Sequence, residues 1–116
     1  MRHRNKNKIL GRKKQPRELM LRNLASSIIM YEKVTTTEAK AKTVKPFVEK
    51  LITTAKDKNL VATRRLIQAL PQVLAIRKLT EVLADKYENR PGGYTRIIKL
   101  NARQGDGAKI VQIELV

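Results

Sequence analysis

Arg90-Pro91-Gly92-Gly93-Tyr94-Thr95-Arg96-Ile97-Ile98-Lys99-Leu100, followed after a connection containing Gly105-Asp106-Gly107 by Ile110-Val111-Gln112-Ile113-Glu114-Leu115, is the stretch on which the fold turns. Before it, apolar residues recur every three or four positions; within it the period drops to two. Arg90 to Gly93 is a loop by composition, and two runs rich in β-branched residues follow. In the second run Val111, Ile113 and Leu115 fall on one side and Gln112 and Glu114 on the other, the alternation of a half-buried antiparallel strand. Two adjacent glycines after a proline predict a turn with at least one positive φ, so the loop is expected to act as a pivot for the strand that starts at Tyr94. A lone hairpin is marginal in water, and the polar, β-branched run Glu32-Lys33-Val34-Thr35-Thr36 is suited to supply a third strand.

Working back from that sheet, four helices can be placed. Pro16 sits where a first helical residue would, Glu18 follows in the first turn, and Leu21, Leu24, Ala25 and Ile28 recur at i, i+3, i+4, i+7. Glu18, Arg22 and Ser26 mark the polar side of this helix. Thr35 with Glu38 matches a capping box for a second helix, in which Val44, Phe47, Val48, Leu51 and Ala55 form the apolar stripe and Lys42, Lys45, Glu49 and Lys56 lie opposite. Pro46 inside it predicts a kink or a division. Asn59 is placed to cap a third helix with Leu60, Leu66, Ile67 and Leu70; Pro71 ends that helix and opens a fourth with Ile76, Leu79, Leu83 and Tyr87 on one side. The expected fold is α+β, about four helices packed on a small three-stranded mixed sheet, with residues 1–15 as a basic extended arm and 16–116 as one domain.

Charge then limits the partners. Among 116 residues there are 26 Lys or Arg and 10 Asp or Glu, a net charge of +16. Within Met1 to Arg17, Arg2, Arg4, Lys6, Lys8, Arg12, Lys13, Lys14 and Arg17 meet no acid. Ile9 and Leu10 give that segment too little apolar surface to offset the roughly 1–2 kcal/mol per residue that ordering a backbone costs, so it needs a polyanion to fold against. The rest of the chain is basic as well, which points to a phosphate lattice or an anionic membrane surface. No stretch approaches the ~20 apolar residues that span a bilayer. Arg22 and Asn23 interrupt the apolar run from Leu19 to Met30, so no signal-peptide core is expected and the chain reads as soluble and intracellular.

Enzymatic chemistry finds no foothold. The single His3 lies in the basic arm, where nothing can orient it as a general base. There is no cysteine, which removes both a disulfide framework and a zinc site of Cys and His ligands. Most carboxylates have a basic neighbour within four residues, as in Glu18 with Arg22, Glu38 with Lys42, Glu49 with Lys45 and Glu81 with Arg77, which ordinary surface pairing explains. The two glycine elements lack the spacing and lysine of a phosphate-cradling loop. No cofactor, metal or small-molecule substrate is expected. Only Tyr31, Phe47, Tyr87 and Tyr94 are aromatic, too few for the stacking platforms of single-strand binders. Thr63, Arg64, Arg65 and Gln68 are a weak candidate for a helix-turn-helix reader. What remains is contact with the phosphates and the shape of folded RNA, and Arg64-Arg65 reads equally well as a solvated face.

The residues Met1-Arg2-His3-Arg4, Leu10, Arg12, Arg17, Arg22-Asn23, Thr35-Thr36, Ala39-Lys40-Ala41-Lys42, Leu51-Ile52-Thr53, Arg64-Arg65, the octapeptide Arg90 to Ile97 and Ile113-Glu114-Leu115-Val116 together resemble the family of the seventeenth large-subunit protein of the bacterial ribosome. The resemblance runs end to end, with departures at Asn7 and at Lys14-Gln15-Pro16. It implies an α+β domain without catalysis that binds large-subunit ribosomal RNA near the outer end of the exit tunnel, among neighbouring ribosomal proteins and in the cytoplasm, with no membrane partner. It also implies that Arg2, His3, Arg4, Arg12, Arg22, Lys40, Lys42, Arg90 and Arg96 face rRNA. Added to the residues read from charge, the candidate RNA-binding set is Arg2, His3, Arg4, Lys6, Lys8, Arg12, Lys13, Lys14, Arg17, Arg22, Lys40, Lys42, Arg64, Arg65, Arg90 and Arg96. A nucleoid DNA binder and a membrane-surface protein remain as rivals, since both account for the charge.

Overall fold

The computed structural model describes Leu10 and residues 13–116. Candidate residues Arg2 to Lys8 and Arg12, and the expectation that the arm orders only on a polyanion, lie outside the described residues. The chain runs α1 (Lys14–Tyr31), β1 (Lys33–Thr37), α2 (Glu38–Ala55), α3 (Leu60–Ala69), α4 (Val73–Lys78), a π-helical turn (Leu79–Leu83), α5 (Ala84–Lys86), β2 (Thr95–Ala102) and β3 (Lys109–Leu115). The α+β expectation holds, with α4, the π-turn and α5 forming one continuous fourth helical body.

The sheet has the order β1-β3-β2 and is antiparallel throughout. The mixed sheet expected from sequence is corrected here: β1 and β2 run in the same direction, but β3 lies between them and pairs antiparallel with both. Its alternation is as read. Val111, Ile113 and Leu115 are buried, and the row Val34–Ile113–Ile97 crosses all three strands on the face toward α2. The opposite face carries the row Lys33–Glu114–Arg96.

The helices follow their stripes with four corrections. Helix α1 begins at Lys14, so Pro16 is the third helical residue rather than the first; it is tolerated because the opening N–H groups of a helix have no intrahelical partner. Ser26, expected on the polar side of α1, is fully buried beside Ala25, Ile28 and Ile29, and its Oγ has no hydrogen-bond partner among the described residues. Helix α2 runs through Pro46 undivided, and its N-cap is Thr37, because Thr35 is held in the β1–β3 ladder opposite Gln112 and cannot form the expected capping box. In α3 the row Ala62, Leu66 and Leu70 turns inward, leaving Leu60 and Ile67 exposed. Asn59 does cap α3, its Oδ1 accepting from the Ala62 N–H at 2.8 Å.

The core lies where α2 crosses the sheet and packs against α1, α3 and the π-turn. The wider π-turn brings Leu79, Leu83 and the following Ala84 and Tyr87 to the same interior. Helix α1 is closed by its C-cap Glu32, which takes φ of 65°, and Lys78 Nζ donates to the Met30 carbonyl at 3.0 Å, satisfying an acceptor that the helix end leaves open.

Candidate nucleic-acid interface

The basic candidates do not converge on a single site. Lys13, Lys14 and Arg17 open α1, with Lys13 and Lys14 exposed and Arg17 partly covered. Arg22 is half-buried and lines a shallow groove with Glu18, Leu21 and Phe47. Lys40 is half-buried in the first turn of α2, and Lys42 one turn on is exposed. Arg64 and Arg65 project from the outer side of α3 and make no ion pair among the described residues. Arg90 and Arg96 flank the entrance to β2, both exposed. The result is a set of cationic points spread over several elements, which suits an extended polyanion and not a compact ligand.

Each element has a physical reason for presenting its charges. The Arg90–Gly93 loop is held from below. Lys56 Nζ donates to the Arg90 carbonyl at 2.6 Å and to the Tyr94 hydroxyl at 3.1 Å, and the Tyr94 and Thr53 hydroxyls lie 3.2 Å apart. Tyr94 is 1% exposed and its ring meets that of Tyr87 at 5.1 Å between centroids, tilted by 56°. Burial pushes the Tyr94 hydroxyl pKa up, but hydrogen bonding to Thr53 and Lys56 outweighs it and leaves the pKa below the ordinary value. Gly93 takes φ of 63°, the positive value expected of the turn. The loop thus sets Arg90 on one side and, after Tyr94 has been buried, Arg96 on the other.

Arg96 pairs with Glu114, its cross-strand partner, and this hydrogen bond, followed by one from Gln112, holds the Glu114 carboxyl below its ordinary pKa. Glu49 departs from the surface pairing expected with Lys45: its Oε1 accepts from the Thr95 hydroxyl at 3.1 Å and the Thr95 N–H at 3.4 Å, tying α2 to the start of β2. The pairs Glu38–Lys42, at 2.8 Å, and Glu81–Arg77, at 3.5 Å, are present; Glu18–Arg22 is not an ion pair.

Two parts of this surface were not legible in the sequence. Lys56 looks like a solvated helix residue until the fold brings Arg90 and Tyr94 above it. Lys99 and Lys109 are separated by a connection and a bulge, yet both lie on the sheet face that α2 covers, beyond the first turn of α2. The regular alternation of β2 and β3 was the signal for their common side; the position of α2 was not.

The aromatic residues leave little surface for stacking on a base. Tyr87 is 3% exposed, Tyr94 is buried, Phe47 packs against the core, and only Tyr31, 73% exposed, could meet a base. Among the described residues no group of acidic, His or Cys side chains could hold a metal, and no helix is long and apolar enough to cross a membrane.

Comparison with known proteins places the whole chain in one family. A family model described as ribosomal protein L17 matches residues 20–116. The large ribosomal subunit protein bL17 of Hydrogenobaculum sp. is 48% identical over 117 residues, covering 100% of this chain and 99% of the relative. That of Carboxydothermus hydrogenoformans is 48% identical over 107 residues, covering 92% and 96%, and that of Rickettsia bellii is 45% identical over 116 residues, covering 100% and 82%. With its α+β body, dispersed cationic surface and full-length similarity, the chain belongs to the ribosomal protein L17 family, whose members are structural components of the ribosome and not enzymes.

Proposed function

We propose that the chain is a structural component of the large ribosomal subunit in the cytoplasm, binding large-subunit rRNA through phosphate and shape contacts near the rim of the exit tunnel, with neighbouring ribosomal proteins as further partners. The observation that carries the mode of binding is the dispersal of exposed Lys and Arg over α1, α2, α3 and β2 on a body whose aromatic rings, Tyr31 apart, are in or against the core. Such a surface supplies sequence-independent charge contacts and almost no base stacking. The position at the tunnel rim rests on the family resemblance. Sedimentation of a native lysate is the direct test: the protein should travel with large subunits and stay there in moderate salt. Recovery with the nucleoid or with membranes would sink the reading.

The entrance to β2 provides a sharper check, separating scaffold from ligand. Gly93→Val places a β-branched residue at a φ of 63°, which should cost on the order of 1–3 kcal/mol and lower the melting temperature. Arg96→Ala removes an ion pair whose arginine is exposed and whose Glu114 is mostly covered but keeps its hydrogen bond from Gln112, a change of about 1 kcal/mol or less, and should weaken rRNA binding while moving the melting temperature less than Gly93→Val does. Melting curves and filter binding on the two variants decide it, and the reverse pattern would mean that the roles had been exchanged.

A further inference from the structure

At its far end the sheet outruns the helix that covers it. Strand β3 pairs Ile110 with Thr37, the N-cap of α2, while β2 and β3 continue past that point toward their connection. On the face that elsewhere carries Leu115, Ile113 and Val111, the next positions are Lys109 on β3 and, opposite Val111, Lys99 on β2. Both are exposed, lying past the point where α2 begins. An open groove results between the start of α2 and the base of the hairpin, lined by Thr37, Glu38, Ala39, Lys42, Ala108 and Lys109.

Within it Glu38 is mostly covered, at 16% side-chain exposure, and its carboxylate holds Lys42 at 2.8 Å. That hydrogen bond, with the charges of Lys42, Lys109 and Lys99 nearby, draws the Glu38 pKa below its ordinary value against the effect of burial. One carboxylate therefore sits among three ammonium groups delivered by three different elements, and the groove keeps a net positive charge.

We propose that Lys42, Lys99 and Lys109 form a seat for consecutive RNA backbone phosphates, with Glu38 as the internal counter-ion paired with Lys42 one turn along α2. The proposal rests on the rRNA-binding reading and adds Lys99 and Lys109 to the residues that carry it. The chemistry of the groove selects the ligand. Lysines are point charges without the planar fork that orients a single carboxylate or phosphate, and the groove is open and has no aromatic wall for a base. Lys42 and Lys109 in the groove, with Lys99 beside it on the same sheet face, fit a run of phosphates approached from outside.

The test uses the full chain and protein-free large-subunit rRNA as probe, with affinity measured across a salt series. The Lys99→Gln/Lys109→Gln double variant should lower the slope of log affinity against log salt by about 1.4 to 1.8, with a melting temperature within about 2 °C of the parent because both positions are exposed. Glu38→Gln should act oppositely, raising affinity about fivefold, the effect of removing one like-charge contact at about 4 Å in water. An unchanged slope in the double variant overturns the proposal even where the parent binds rRNA well. If that variant instead enters subunits poorly at unchanged slope, the groove faces an acidic protein neighbour. A parent chain with no salt-dependent rRNA binding would sink the broader reading first, so the two failures are distinguishable.

Discussion

Deleting residues 1–14 should lower the slope of log rRNA affinity against log salt by about six, the largest single effect expected of any change to this chain. The deletion removes Arg2, Arg4, Lys6, Lys8, Arg12, Lys13 and Lys14, seven of the 26 basic residues. If each meets one phosphate in a duplex-like region, roughly 0.9 counterion is released per contact, which sets about six as the upper bound. The cost to the body should be small, since the core is built from residues between Ala25 and Leu115 and the deletion reaches only the first residue of α1. Thermal melting should therefore be nearly unchanged while binding in moderate salt collapses. A deletion variant with the parent's salt slope would show that the arm is not an electrostatic ligand.

The second large effect falls on stability. Tyr94→Ala should cost about 3–5 kcal/mol, the range for truncating a buried aromatic residue, and lower the melting temperature by about 10–20 °C. The ring is 1% exposed and packs on Tyr87, and its hydroxyl meets Thr53 and Lys56. Its backbone matters as well: the Tyr94 carbonyl accepts from the Val116 N–H at 2.9 Å, while the Tyr87 hydroxyl donates to the Val116 carbonyl at 2.8 Å. Tyr94→Phe keeps the ring and loses only the hydroxyl contacts, so it should cost about 1 kcal/mol. Equal losses for Ala and Phe, read from denaturant melts, would place the stabilisation in the hydroxyl network and refute the packing argument.

These two variants also mark what a sequence can and cannot disclose. Local signals carried through: the period-two run of β3, the Asn59 cap, the positive φ at Gly93 and the stripe of α2 all depend on neighbours a few positions away. Misreadings arose where a distant element decided the outcome. Thr35 and Glu38 have capping-box spacing, but Gln112 claims Thr35 for the sheet. Ser26 follows the polar spacing of Glu18 and Arg22, yet tertiary packing closes over it. Glu49 had a suitable lysine four residues away and instead holds Thr95 across the fold. The candidate interface divides in the same way. Single cations such as Arg90 and Arg96 became candidates through the family resemblance, whereas the groove of Lys42 and Lys109, with Lys99 beside it, exists only once α2 has been laid across part of a hairpin.

The strand order β1-β3-β2 bears on how the body comes into being. The middle strand follows both of its partners in the chain, and β1 must wait for a ladder partner more than seventy positions downstream. Until β3 emerges, β1 and β2 are edges without a centre, and α2 has only part of a surface to cover. Contacts of such long sequence separation slow folding and set its timing. During synthesis the three-stranded sheet cannot close until β3 has left the ribosome that makes the chain, so its completion is expected to come late. Until the sheet closes, the net charge of +16 is carried without a native shape, so any early encounter with a polyanion is governed by charge rather than by fit.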